Sequence, residues 1–60
     1  MAEILFEYIR QGAYVKVSAL EPETKTEVSV VVPVGLTERQ MQLQALKKLE
    51  YVLKKQEENL

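Results

Sequence analysis

The sequence predicts an α+β domain in which a three-stranded antiparallel meander sheet is followed by one long C-terminal amphipathic helix that packs on one face. Two observations predict this class. Three short runs in the first half alternate their side chains with the period of two that a pleated strand imposes. The end of the chain instead spaces its apolar residues with the 3.6-residue period of a helix, without an interrupting glycine or proline.

Length and composition limit both the core and the chemistry. The 60 residues form a single domain over residues 1–60, and a domain of this size buries only about 60% of the surface that its unfolded chain exposes. The chain contains no cysteine and no histidine, so disulfides, cysteine-ligated zinc and the commonest general base are excluded. We therefore expect no metal, no cofactor and no enzymatic activity.

Charge and hydropathy argue against a membrane or a polyanion as partner. Nine acidic and eight basic side chains give a net charge of −1, which provides no bulk attraction for nucleic acid or anionic lipid. The first residues include acids where a signal peptide has a basic segment, and no stretch reaches the roughly 20 apolar residues that span a bilayer. A cytoplasmic location is the expectation that follows.

The first two strands are predicted to form a hairpin. They cover about residues 3–10 and 13–20, on either side of Gln11-Gly12, and glycine accepts the positive φ that a two-residue turn needs. This turn predicts a register that pairs apolar residues on one face and sets Glu7 opposite Lys16 on the other. A slip of one residue would lose both matches.

The third strand is predicted at about residues 27–33, after a polar loop at about 21–26 that contains a proline. A loop of this length sets Ser18 opposite Ser29 and brings a row of valines onto the same face as the apolar row of the first strand. Pro33 cannot donate to a ladder, which suits the end of an outer strand.

The helix is predicted at about residues 38–58. Thr37 and Gln40 match a capping box, in which each side chain accepts a hydrogen bond from the other residue's backbone N–H. One arc of the helix collects the apolar side chains Met41, Ala45, Leu46, Leu49, Val52 and Leu53. Leu43 and Tyr51 project from the polar side.

Three phrases of the sequence, at residues 14–19, 26–30 and 45–53, together resemble a small bacterial family associated with alphaproteobacteria and known only as a domain of unknown function. The resemblance implies a free-standing β-β-β-α protein of similar length, and it implies no catalytic residue, substrate or cofactor. It also implies a glycine near Lys25 and another before Pro33, where this sequence has lysine and valine.

Carboxylates and serines are the only candidates for catalysis, and each has a structural explanation. Glu3, Glu7 and Glu27 alternate onto the strand face away from the valine row, where exposure to solvent explains them. Ser18 and Ser29 form a cross-strand pair, and without histidine a nucleophilic serine would depend on a lysine. We assign no catalytic residue.

The polar side of the helix is a candidate surface for single-stranded nucleic acid. It carries Lys47, Lys48, Tyr51, Lys54 and Lys55. Helical spacing brings Tyr51 beside two of these lysines, and aromatic rings among cations stack on the bases of single strands. Three glutamates are interleaved, however, and solvated helix charges explain the pattern better.

The second face of the sheet is the feature that most favours an assembly. One helix covers one face, and the other face carries Leu5, Ile9, Tyr14, Leu20 and Val31. A helix of about 22 residues also outreaches the strands by roughly 7 Å, which predicts that Leu53 and Leu60 overhang.

We therefore predict a small interaction module that forms a homodimer, with an interface at Leu5, Ile9, Tyr14, Leu20, Val31 and Leu53. Packing of two sheets face to face and pairing of strand edges are both compatible with the pattern. A monomer whose half-apolar face stays in water is the alternative to either. The identity of any other protein partner does not follow from the sequence.

Overall fold

The order of elements is β1-β2-β3-α1, and the computed structural model describes residues 3–58. The strands and the helix span Leu5–Gln11 (β1), Tyr14–Glu21 (β2), Thr26–Pro33 (β3) and Glu38–Glu58 (α1). The strands form an antiparallel sheet in the order β1-β2-β3, which confirms the predicted α+β meander. The predicted overhang of Leu60 lies outside the described residues.

The turn between β1 and β2 lies one residue later than predicted. Gln11 pairs with Tyr14, so the two turn residues are Gly12 and Ala13, and Gly12 has a φ of 61° while Ala13 is not among the residues of positive φ. Positive φ at the first turn position alone is the pattern of a type II′ turn, which places glycine there. Gly12 therefore determines the turn from its first position, and the prediction that Gln11 opens the turn is wrong.

The register of the hairpin consequently differs by two residues from the predicted one. Glu7 faces Ser18 and Lys16 faces Ile9, so the predicted Glu7–Lys16 pair is wrong. Successive side chains of a strand point to opposite faces, and a shift of two residues returns every side chain to its original face. The assignment of side chains to the two faces of the sheet is therefore unaffected.

The pairing of β2 with β3 follows the predicted register. Ser18 faces Ser29, and their Oγ atoms lie 3.1 Å apart. The ladder extends one pair further than predicted, to Glu21 and Thr26, which reduces the connecting loop to residues 22–25.

The core lies between the sheet and α1. Its buried apolar side chains are Val15, Val17, Ala19, Val28, Val32, Met41, Ala45 and Leu49. The partly buried side chains packed against them are Ile4, Phe6, Tyr8, Val30, Leu36, Leu46, Val52 and Leu53. All of these residues except Leu36 belong to the rows predicted from periodicity. Because α1 packs mainly against β2 and β3, the helix-facing row of β1 is only half covered.

The start of α1 is fixed by the predicted capping box. The Gln40 N–H donates to Thr37 Oγ1 at 3.1 Å, and the Thr37 N–H donates to Gln40 Oε1 at 2.9 Å. The first helical hydrogen bond runs from the Met41 N–H to the Thr37 carbonyl at 3.0 Å. Two N–H groups that the first turn leaves without helical partners are thereby satisfied.

Lys25 is expected to limit stability, because its φ of 57° lies in the left-handed region that costs an ordinary side chain on the order of 1 kcal/mol. Lys25→Gly should raise the free energy of unfolding by about 0.5 kcal/mol, and the β-branched Lys25→Val should lower it by about 1 kcal/mol. Urea denaturation at one protein concentration measures both changes. Lys25→Ala, which removes the side chain but keeps the Cβ, is the control, and a Lys25→Val protein as stable as the wild type would contradict the expectation.

Candidate functional site

The sheet face opposite α1 is open, and it carries most of the predicted interface. Leu5, Ile9, Tyr14 and Val31 are exposed there, with Val31 66% exposed, and Leu20 is half-buried beside them. Leu53 lies elsewhere, because it projects from α1 and packs half-buried against the core, so the predicted overhang at Leu53 is wrong. The structure therefore brings five of the six predicted residues onto one surface, which we call the open face.

The strand registers arrange the open face in four rows that cross the three strands. In order along β1 the rows are Leu5–Leu20–Glu27, Glu7–Ser18–Ser29, Ile9–Lys16–Val31 and Gln11–Tyr14–Pro33. A polar second row separates a small apolar cluster at one end from a larger one at the other. Glu7 and Lys16 lie on either side of the middle of the face, and Ser18 is buried in its hydrogen-bonded pair with Ser29.

The free edge of β3 is partly occupied by a side chain from the helix. The Lys48 ammonium donates a hydrogen bond to the Ser29 carbonyl at 2.8 Å. A lysine at the edge of a sheet opposes pairing with another strand. The contact directs the Lys48 side chain toward the sheet.

The remaining members of that surface lie along α1. Tyr51 is 62% exposed, and the Lys55 ammonium lies 5.9 Å from the centre of its ring. The same ammonium lies 3.9 Å from a carboxylate oxygen of Glu58. Lys47 and Lys54 line a shallow depression with Tyr51, and two glutamates line it as well. Cations and carboxylates are thus mixed at every point of this surface.

The carboxylates considered for acid-base chemistry are all in solvent. Glu3, Glu7 and Glu27 are exposed, as the alternation predicted. Within residues 3–58, no group of three potential ligands is placed to hold a metal ion.

One carboxylate that the sequence reasoning missed is buried at the end of β2. Glu21 is only 5% exposed, and its Oε2 accepts hydrogen bonds from the Thr24 N–H at 2.6 Å and the Thr24 hydroxyl at 2.7 Å. Its Oε1 accepts the Glu23 N–H at 3.1 Å. The signal was present, because alternation continues the inward row of Val17 and Ala19 to Glu21.

The Glu21 carboxylate organises the β2–β3 turn and the turn's contact with the helix. The Thr24 hydroxyl uses its proton on Glu21, so the Thr26 hydroxyl is the donor in their mutual contact of 2.7 Å. Thr26 Oγ1 also lies 3.4 Å from Gln56 Oε1 on α1. A hydroxyl has one proton, and the shorter contact with Thr24 takes it, so the 3.4 Å approach to Gln56 Oε1 is not a hydrogen bond in this arrangement.

A groove between α1 and the start of β1 is the second feature that the sequence reasoning missed. It has a volume of about 690 Å³ and is lined by Ile4 and by apolar residues of α1, with glutamates around its rim. Periodicity places side chains on one side of a helix, but it does not give the lateral position of the helix on the sheet. The groove results from that position, since α1 packs mainly against β2 and β3.

Comparisons with known proteins identify a family. A family model with the description "Domain of unknown function (DUF6898)" matches residues 1–56. No curated protein and no solved structure matches the chain. Over residues 3–58, none of the helical structure is both long enough and apolar enough to cross a membrane.

The Glu21 hydrogen bonds predict a dependence of stability on pH. Hydrogen bonds lower the pKa of Glu21 below its ordinary 4.5, although desolvation opposes them. The Thr24 hydroxyl contributes most to this lowering, the Thr24 N–H comes next, and the Glu23 N–H contributes least. A carboxyl whose pKa is lowered by folding stabilises the protein at pH values above its unfolded pKa, and this contribution is lost as the pH falls through the folded pKa.

Glu21→Gln should therefore lower the melting temperature at pH 7, and the difference from the wild type should shrink as the pH falls from 5 to 3. Thermal unfolding followed by circular dichroism measures this difference. Glu3→Gln, at an exposed carboxylate outside the four rows of the open face, should show no such trend. A Glu21→Gln difference that stays constant across this range would contradict the assignment.

Proposed function

The chain belongs to the DUF6898 family, and we propose that it acts as a small, non-enzymatic interaction module that forms a homodimer through its open face. The observation that carries the proposal is the exposure of Leu5, Ile9, Tyr14 and Val31 on one surface. A half-apolar surface of this kind covers a few hundred Å², which is the scale at which patches mark interaction sites. No catalytic residue and no cofactor form part of the proposal.

Packing of two open faces is favoured over pairing of strand edges. Burial of each large apolar side chain contributes on the order of 1.5–3 kcal/mol, and edge pairing would leave the open face in water. Lys48 already occupies the Ser29 carbonyl on the β3 edge. Face-to-face packing buries Tyr14 and Val31 and leaves that contact intact.

The charges on the open face are compatible with a two-fold axis. Consider a two-fold axis that lies between the two sheets, runs perpendicular to the strands and passes between the second and third rows. Such an axis places the second row of one copy opposite the third row of the other. Lys16 then faces Ser18 of the second copy, one strand away from Glu7 of that copy. Each copy thus brings its one open-face cation close to a carboxylate of the other, while its second open-face carboxylate, Glu27, lies in the first row at the end of the face.

A cytoplasmic location and an alphaproteobacterial source are part of the same proposal. The likeness of residues 14–19, 26–30 and 45–53 to a bacterial family supports the alphaproteobacterial source.

Binding of single-stranded nucleic acid is a second candidate function, favoured by the exposed Tyr51 ring beside Lys55. Stacking of a base on such a ring contributes about 1–3 kcal/mol. The carboxylates of Glu50, Glu57 and Glu58 along the same helix repel phosphate, so this candidate ranks below the dimer.

The dimer is tested by sedimentation equilibrium across about a hundredfold range of concentration. Val31→Lys places a charge in the open face and should weaken dimerisation by at least about tenfold. Tyr51→Lys is the matched control, because Tyr51 is 62% exposed against 66% for Val31 but lies on the helix. A wild-type protein that is monomeric throughout, or equal effects of the two substitutions, would refute the proposal.

The second candidate is tested by titrating a fluorescent single-stranded oligonucleotide at two salt concentrations. Phosphate contacts give an affinity that falls steeply with salt, so binding would be strongest at the lower concentration. Because cations and carboxylates are mixed on this surface, we expect no binding even there. Submillimolar binding that Tyr51→Ala abolishes would instead establish the nucleic-acid function.

A further inference from the structure

The groove between α1 and the start of β1 has the dimensions of a binding site. Its volume is about 690 Å³, within the range of roughly 300–1,000 Å³ typical of ligand sites. Ile4 from the sheet side and Leu46, Leu49 and Leu53 from α1 form its apolar lining. Leu46 and Leu53 are half-buried, so the lining is accessible from solvent.

The rim of the groove is negatively charged on two sides. Glu23 from the β2–β3 turn and Glu50 and Glu57 from α1 are exposed there, and the buried Glu21 at the end of β2 also lines the groove. Among the described residues, no lysine or arginine lines this groove. An apolar lining with carboxylates on two sides is complementary to an occupant that is apolar on one face and positively charged on its flanks.

The groove continues along the helix. A smaller hollow of about 240 Å³ shares Ile4 and Leu46 with it and extends past Phe6 and Leu43 to Arg39, a cation at its far end. From Leu43 to Glu57, α1 rises about 21 Å, which is the length of about four helical turns. Glu50 and Glu57 are seven residues apart, so they repeat at the interval of two turns, about 10.5 Å.

We propose that this groove binds a basic amphipathic helix of a partner protein. The apolar face of that helix packs on Ile4, Leu46 and Leu53, and lysines or arginines two turns apart pair with Glu50 and Glu57. A helix that lies along α1 can repeat its charged side chains every two turns, the same interval that separates Glu50 and Glu57. An extended segment has a different repeat along its length and does not match this interval. The groove is on the helix side of the sheet, so its occupancy does not depend on the dimer through the open face.

A second copy of this chain complements the groove less well. Its α1 carries five basic and four acidic side chains, which leaves almost no excess of positive charge. On its strands the exposed cations are Arg10 and Lys16, against the exposed carboxylates of Glu7 and Glu27. The occupant is therefore a different protein segment with a clear basic excess.

The test uses a designed peptide of about 18 residues, built from leucine, alanine and lysine with leucines at helical spacing and lysines on both flanks. Fluorescence anisotropy of the labelled peptide measures its affinity for the full-length protein. Glu50→Gln/Glu57→Gln should weaken binding by about fivefold, since two partly exposed charge pairs are lost. Glu7→Gln/Glu27→Gln, which removes the same charge from the open face, should change the affinity less than twofold.

Two further comparisons complete the test. A peptide with glutamate in place of lysine should bind at least about tenfold more weakly. Val31→Lys should bind the basic peptide as the wild type does, so a failed dimer and a failed groove give different results. Two results would overturn the proposal: no binding of the basic peptide up to about 1 mM, or equal losses of affinity in the two double-glutamine variants. Dissociation of the dimer when the peptide is added would also overturn it, because the groove would then be occupied by a second copy of the chain.

Discussion

A single helix can cover only one face of a three-stranded sheet, and this constraint determines the surfaces of the molecule. The core is correspondingly thin, and its largest fully buried side chains are Leu49 and Val17. The single helix leaves the open face of the sheet uncovered. Because α1 packs over β2 and β3, it also leaves a groove beside the start of β1 on the helix side. Both surfaces proposed for binding are thus consequences of one packing arrangement.

Periodicity predicted the parts of the fold that depend on which way a side chain points. The two faces of the sheet, the apolar stripe of α1 and the Thr37–Gln40 capping box all follow from spacing along the chain. Periodicity did not predict the hairpin register. A shift of two residues keeps every side chain on the same face, and the apolar side chains of β1 and β2 pair almost equally well in the predicted and the observed registers. The turn type decides between such registers, and Gly12 at the first turn position selects the observed one.

Two features required the three-dimensional structure. Alternation places Glu21 on the inward row, but only the path of the turn shows that Thr24 and Glu23 satisfy its oxygens. The groove depends on the lateral position of α1, which packing determines and spacing along the helix does not. The resemblance that implied a glycine near Lys25 did indicate a strained position, because Lys25 has the positive φ that glycine accepts without cost.

The central claim is that two open faces pack about a two-fold axis, and exchange of charges across that axis tests it most directly. Glu7→Lys and Lys16→Glu each create like charges across the proposed contact, so each variant alone should dimerise more weakly than the wild type. An equimolar mixture restores opposite charges between the two copies. Sedimentation equilibrium of the mixture should therefore show tighter association than either variant alone, and a mixture that associates no more tightly than its components would contradict packing through the open face.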